Sequence, residues 1–114
     1  MIMSSEEALG LLRKWKSEST LMLAHLVFPQ GIGTANLRGS LIEAGPSWLI
    51  LSHDGIANLI INLAQASRFV YEDVREIPEE IKALAGGKLD SRMDIHASVM
   101  VVNLYILEAP IPKV

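Results

Sequence analysis

Residues 34–43 alternate clearly between two kinds of side chain. Ala35, Leu37, Gly39 and Leu41 fall on one side, and Thr34, Asn36, Arg38 and Ser40 on the other. A period of two belongs to a strand with one covered and one wet face, which commits the middle of this chain to β structure. Gly39 inside the pattern predicts a sharp bend or a bulge, because a glycine lets another backbone come close.

The neighbouring segments extend this texture. Residues 21–28 (Leu-Met-Leu-Ala-His-Leu-Val-Phe) are apolar on both parities, as in a strand covered on two faces, and Pro29 and Gly31 stop the run. Leu, Met and Ala also favour helix, so that alternative stays open there. Gly45-Pro46-Ser47 predicts a turn, Trp48-Leu49-Ile50-Leu51 a short strand, and His53-Asp54-Gly55 another turn. Residues 56–66 admit two readings: a helix with Asn58, Asn62 and Gln65 on one face, or a strand in which Leu59, Ile61 and Leu63 alternate with polar positions. The strand is preferred, since both flanking segments are strands on very short links. Residues 68–72 alternate again after a tight connection at 64–67.

The two ends differ from this middle. Ser4 with Glu7 three residues on forms a capping box, and Ala8, Leu11, Leu12 and Trp15 then fall on one stripe of a helix. Glu6 and Glu7 at its start and Arg13, Lys14 and Lys16 near its end suit the helix dipole. Beyond Asp73, Pro78-Glu79-Glu80 predicts a first helical turn and Gly86-Gly87 its end, giving a short helix over 78–84. Residues 88–94 are expected as loop. Residues 97–107, rich in β-branched side chains, are expected as one long apolar strand, with Pro110 and Pro112 ending regular structure.

Composition excludes several classes of function. A chain of 114 residues has room for one domain and one modest core. Half the residues are apolar and mean hydropathy is +0.32, which points to strands buried on both faces or to apolar surface hidden by self-association. There is no cysteine, so disulfides, thiolate metal sites and a cysteine nucleophile are excluded. Ten basic residues against 13 acidic ones argue against tight binding to a phosphate backbone. Residues 1–7 do not resemble a signal peptide, and no run approaches the ~18 apolar residues of a membrane span. The expectation is a soluble, cytoplasmic chain without a membrane partner.

The order helix, then strands near 20–28, 34–44, 47–53, 57–63 and 68–72, resembles the Sm-like family of small SH3-type barrels. Arg38-Gly39-Ser40-Leu41 followed by Trp48-Leu49-Ile50-Leu51 is similar to the first signature of that family, a glycine and then a leucine in the second strand before an aliphatic third strand. The likeness covers about residues 5–73, and residues 74–114 have no counterpart in a minimal member. It implies a mainly β fold: an N-terminal α-helix (about 4–17) on a small, strongly bent antiparallel barrel (about 20–73). A C-terminal extension of a short helix and a long strand (about 77–108) completes the single domain 1–114. The family holds RNA through an Asp or His and an Asn after strand two, and a basic residue with glycine between strands four and five. The corresponding loops here, Gly45-Pro46-Ser47 and residues 64–67, carry neither, so the resemblance implies the fold without the RNA.

Candidate site residues are few. Arg38 and Arg68, on polar strand faces, could form an anion patch with Arg13, Lys14 and Lys16, or be ordinary solvated surface. Asn36, Asn58 and Asn62 could line a polar groove, or pair across strands. His53 beside Asp54 could serve as a base with its orienting carboxylate, although neighbours on a strand point to opposite faces. Asp94 and His96, two apart, would share a strand face, but two groups do not make a metal site. His25 in its apolar strand is expected to bond to backbone. Ser52 lacks the glycines of a nucleophile elbow, and neither Gly31-Ile32-Gly33 nor Gly86-Gly87-Lys88 completes a phosphate-binding loop.

The expected function is a non-enzymatic binding or assembly module acting as a homo-oligomer. Its binding surface would draw on Asn36, Arg38, His53 and Arg68, with no catalytic residue, metal or cofactor. Self-association would run through the C-terminal strand or the barrel edge it extends. The alternatives are an Sm-like RNA-binding protein and a small metal-dependent or acid–base enzyme using His53, Asp54, Asp94 and His96.

Overall fold

The computed structural model describes residues 1–29, 33–53, 56–73, 75, 77–84, 88–97 and 100–107. Helix α1 (Ser5–Ser17) starts where the capping box places it. Ser4 Oγ accepts from Glu7 N, and Glu7 Oε1 accepts from Ser4 N, both at 3.1 Å. It stops in a Schellman arrangement: Thr20 N donates to Trp15 O and Ser19 N to Lys16 O, with Ser19 in the left-handed region at φ 50°. Ala8, Leu12 and Trp15 are buried, and Leu11 packs partly against the same core. Ser4→Ala is expected to destabilise the fold by about 1 kcal/mol, since the Glu7 amide loses its side-chain acceptor. Urea denaturation with an unchanged midpoint would contradict this.

The strands are β1 (Ile2–Met3), β2 (Met22–Val27), β3 (Thr34–Ala44), β4 (Trp48–His53), β5 (Ile56–Asn62), β6 (Arg68–Asp73), β7 (Leu89–His96) and β8 (Val101–Leu107). All pair antiparallel in one sheet of order β1-β6-β7-β8-β2-β3-β4-β5. The protein is mainly β with an N-terminal helix. Both ambiguous segments carry strands, and residues 63–65 add one 3-10 turn.

The sheet bends at Gly39. Residues 34–39 of β3 pair with β2, and residues 40–44 pair with β4. One strand therefore passes from a broad limb, β1-β6-β7-β8-β2-β3, into a short limb, β3-β4-β5, as at a corner between packed sheets. Helix α1 lies mostly against β3, and Arg13 Nε donates to Ala44 O at 3.3 Å. The core between helix and limbs gathers Leu12, Trp15, Met22, Ala24, Leu41, Leu49, Leu51, Met93, Ile95, Val102 and Leu104, all nearly or fully buried.

Four expectations are corrected. The sheet is not closed into a barrel. Closure over residues 20–73 would require β6 beside β2, but the hairpin β7–β8 occupies that place, and the sheet ends at β1 and β5. Most of the expected loop 88–94 is strand: Ser91, Met93 and Ile95 are buried on one side of β7, with Arg92, Asp94 and His96 on the other, and Leu89, across a shift in register, is buried opposite Leu107. The strand expected over 97–107 is shorter: β8 starts at Val101, and before it Ala97 N donates to Met100 O. The short helix α2 (Glu79–Leu84) lies between β6 and β7, with two strands after it, so it is not C-terminal. The stops expected at Gly31, Gly86-Gly87, Pro110 and Pro112 lie outside the described residues.

Candidate functional site

The open face of the broad limb carries polar side chains in transverse rows. Strand register puts Val70, Asp94, Asn103, His25 and Asn36 side by side across β6, β7, β8, β2 and β3. Asn103 Nδ2 donates to Asp94 Oδ1, and His25 Nδ1 meets Asn36 Oδ1, each at 2.6 Å. An amide oxygen only accepts, so Nδ1 of His25 carries the proton. The partner of His25 is thus a side chain rather than the backbone expected from sequence.

The next row runs Glu72, Arg92, Tyr105, Leu23, Arg38. Arg92 Nη2 donates to Glu72 Oε2, and its guanidinium lies 5.8 Å from the centre of the Tyr105 ring. Arg92 Nε is buried 3.2 Å from Asp94 Oδ1, in an ion pair without hydrogen-bond alignment. Burial works to lower the Arg92 pKa, but Asp94, a bond to Tyr105 and Glu72 outweigh it and hold the pKa above its ordinary value. Beyond this row Leu23, Ile77, Leu89, Tyr105 and Leu107 form a second small core.

This geometry distributes the sequence candidates rather than gathering them. Asn36 is paired with His25. Arg38 shares the row of Arg92 but stands on β3, and Arg68 lies opposite His96 on β6, with β7, β8 and β2 between the two arginines. Arg13 is tied to Ala44. His53 ends β4 on the short limb, opposite Ile56, and Asp54 lies outside the described residues. Asp94 and His96 do share a face of β7. Strands β8, β2 and β3 stand between them and β4 in the sheet order. Among the described residues no three His, Asp or Glu side chains are placed to hold a metal ion. A cleft of about 200 Å³ between α1 and the turns at Pro46 and Leu63 is lined mainly by Leu9, Leu12, Leu63 and Phe69, with Ser5 and Glu6.

The short limb presents a different surface. Register sets Glu43, Ile50 and Ile60 in one row and Trp48 beside Asn62 in the next, on the side away from the core. Ile42, Trp48, Ile56 and Ile60 are 50%, 48%, 72% and 58% exposed. Ile56 and Ile60 belong to β5, which is an edge of the sheet, Trp48 to the neighbouring β4 and Ile42 to β3. β8, expected to be the shared apolar edge, is flanked on both sides by β7 and β2. The C-terminal strand is therefore not an edge, which its sequence does not reveal, because an isoleucine in an uncovered strand looks the same as one in a covered strand. Sequence reasoning also missed Glu72, Arg92, Asn103 and Tyr105.

Fold and surfaces define a small antiparallel β protein with one docked helix, an open sheet and an apolar edge. No family model, curated protein or solved structure matches the chain. Among the described residues no helix is long and apolar enough to cross a membrane.

Proposed function

We propose that this chain is a non-enzymatic assembly module that works as a homo-oligomer. The observation that carries the reading is the β5 edge. Its seven residues contain no charge and no proline, the usual devices by which natural edge strands avoid pairing with other chains. Ile60 on β5 stands beside Ile50 on β4, and Trp48 lies in the next row, on the side away from the core. Large apolar side chains grouped in this way mark an interaction surface more often than isolated ones do. The polar face of the broad limb supports the same reading from the other side, since Glu72 is bonded to Arg92, Asp94 to Asn103 and Asn36 to His25.

The Sm-like likeness is not needed for this proposal. The chain is a small β fold, and self-association rests on the edge alone. Light scattering between about 1 and 200 μM is expected to give a mass above the 12.5 kDa of one chain. A monomer throughout that range overturns the proposal. Ile60→Lys is expected to return the chain to a monomer while changing the urea midpoint little, because a lysine on an exposed edge costs the monomer at most about 0.5 kcal/mol.

A further inference from the structure

We infer that two copies of this chain join through β5 itself, antiparallel, about a two-fold axis at Ile60; the inference rests on the assembly reading above and specifies its partner and register. Three observations converge on it.

The first is the direction of the backbone. Leu63 N donates to Ser47 O at 2.8 Å, so residues 63 and 47 form a hydrogen-bonded pair. Paired positions in an antiparallel ladder alternate, so Ile61–Leu49 is bonded and Ile60–Ile50 and Asn62–Trp48 are not. The N–H and C=O of Ile60 and Asn62 therefore point away from β4, out of the edge. Trp48 O confirms the alternation from the other side, since it accepts from Gly45 N toward β3.

The second is the sequence of the edge. Asn58-Leu59-Ile60-Ile61-Asn62 is the same in both directions apart from one exchange of leucine and isoleucine. Placed against a second copy with Ile60 opposite Ile60, it sets Asn58 opposite Asn62 on both flanks and Leu59 opposite Ile61 on the core side. The outward groups of Ile60 then bond to their own copies. The apolar row continues across the axis as Ile50-Ile60-Ile60-Ile50, without meeting a charge until Glu43 at each end.

The third is what the asparagines have left to offer. Asn58 Nδ2 donates to Arg38 O at 3.2 Å, and Asn62 Oδ1 accepts from Ala64 N at 3.0 Å. That leaves an oxygen on Asn58 and an amino group on Asn62, a complementary pair when the two face each other. A symmetric closed contact of this kind ends in a dimer, whereas pairing β5 with the distant edge β1 would run head to tail and yield rings or fibres. The two-residue β1 also offers far less backbone than β5.

The chain has no cysteine, so single-cysteine variants read the register directly. In the inferred pairing the two Ile60 Cα atoms stand about 5.5 Å apart, within disulfide reach. The two Asn58 Cα atoms stand about 14 Å apart, beyond it. Under mild oxidation Ile60→Cys is expected to convert to a disulfide dimer. Asn58→Cys and Asn62→Cys should each stay single, and should cross-link when mixed. An oligomer by light scattering in which Ile60→Cys does not cross-link overturns the two-fold register and leaves the assembly reading intact. A monomer at every concentration overturns both. These positions are exposed or half-buried, so the variants are expected to fold, which circular dichroism checks.

Discussion

Gly39→Ala is expected to lower stability by about 3 kcal/mol or more, with a fall in melting temperature on the order of 10 °C. The added methyl group would fall well inside contact distance of the Ser52 carbonyl oxygen, and 2.8 Å from its carbonyl carbon. Both are backbone atoms of β4, and Ser52 is held in register by Ser40 on one side and Ala57 on the other. A flexible side chain could swing away from a new methyl at small cost. Here relief requires β3 and β4 to separate at the corner where β3 changes partners. Gly45→Ala would be strained for a different reason, since Gly45 has φ 67° and its missing Cβ is directed at the Leu9 side chain. The check is thermal or urea unfolding of Gly39→Ala. A loss below about 1 kcal/mol would mean that the limbs adjust at Gly39 without cost, and the corner would then be soft.

That glycine was legible as a bend because its neighbours alternate so cleanly. The first helix was equally legible, since cap, stripe and charge gradient are all local. Strand β7 was not. Its core side carries Ser91, Met93 and Ile95, and the buried serine at its start weakens the apolar contrast beside Asp90, Arg92, Asp94 and His96. The period of two was present, but Lys88 and Asp90 made the segment resemble a loop. Missing β7 had a larger consequence than one element. Without it β8 had no partner, so its apolar residues were assigned to an exposed edge, and the sheet was expected to close on itself. Partner choice among strands is a long-range property, and no spacing within 20–73 announces a hairpin from 89–107 entering between β6 and β2. For the site, the shared face of Asp94 and His96 followed from their spacing alone. The pairing of Glu72 with Arg92, 20 residues apart, follows only from strand register.

Arg92→Ala is expected to cost about 2–3 kcal/mol, the second large effect. The arginine side chain is 13% exposed, and its acidic neighbours Glu72 and Asp94 are 26% and 14% exposed. At an effective dielectric constant near 20, a charge pair at about 4 Å is worth about 4 kcal/mol before the cost of leaving water, and partial solvent access reduces the net. The asymmetry of removal matters more than that sum. Taking away the cation leaves two carboxylates facing the same half-dry surface, with Tyr105 in place of a charge. Taking away all three charges leaves nothing uncompensated. The triple variant Glu72→Gln, Arg92→Met, Asp94→Asn is therefore expected to recover most of the loss, and Asn103 can keep its bond to the amide oxygen at position 94. Arg92→Lys should fall between, since an ammonium cannot reach Glu72 and Asp94 with one rigid fork. Urea denaturation of the four proteins separates these outcomes. A single variant within 0.5 kcal/mol of the parent would show that water already screens both acids. Asp94 would then be an available base beside His96, and the acid–base reading of β7 would regain its footing. A loss of the expected size keeps Asp94 committed to Arg92 and Asn103, and leaves the β5 edge, with its outward backbone groups, as the surface a second copy would use.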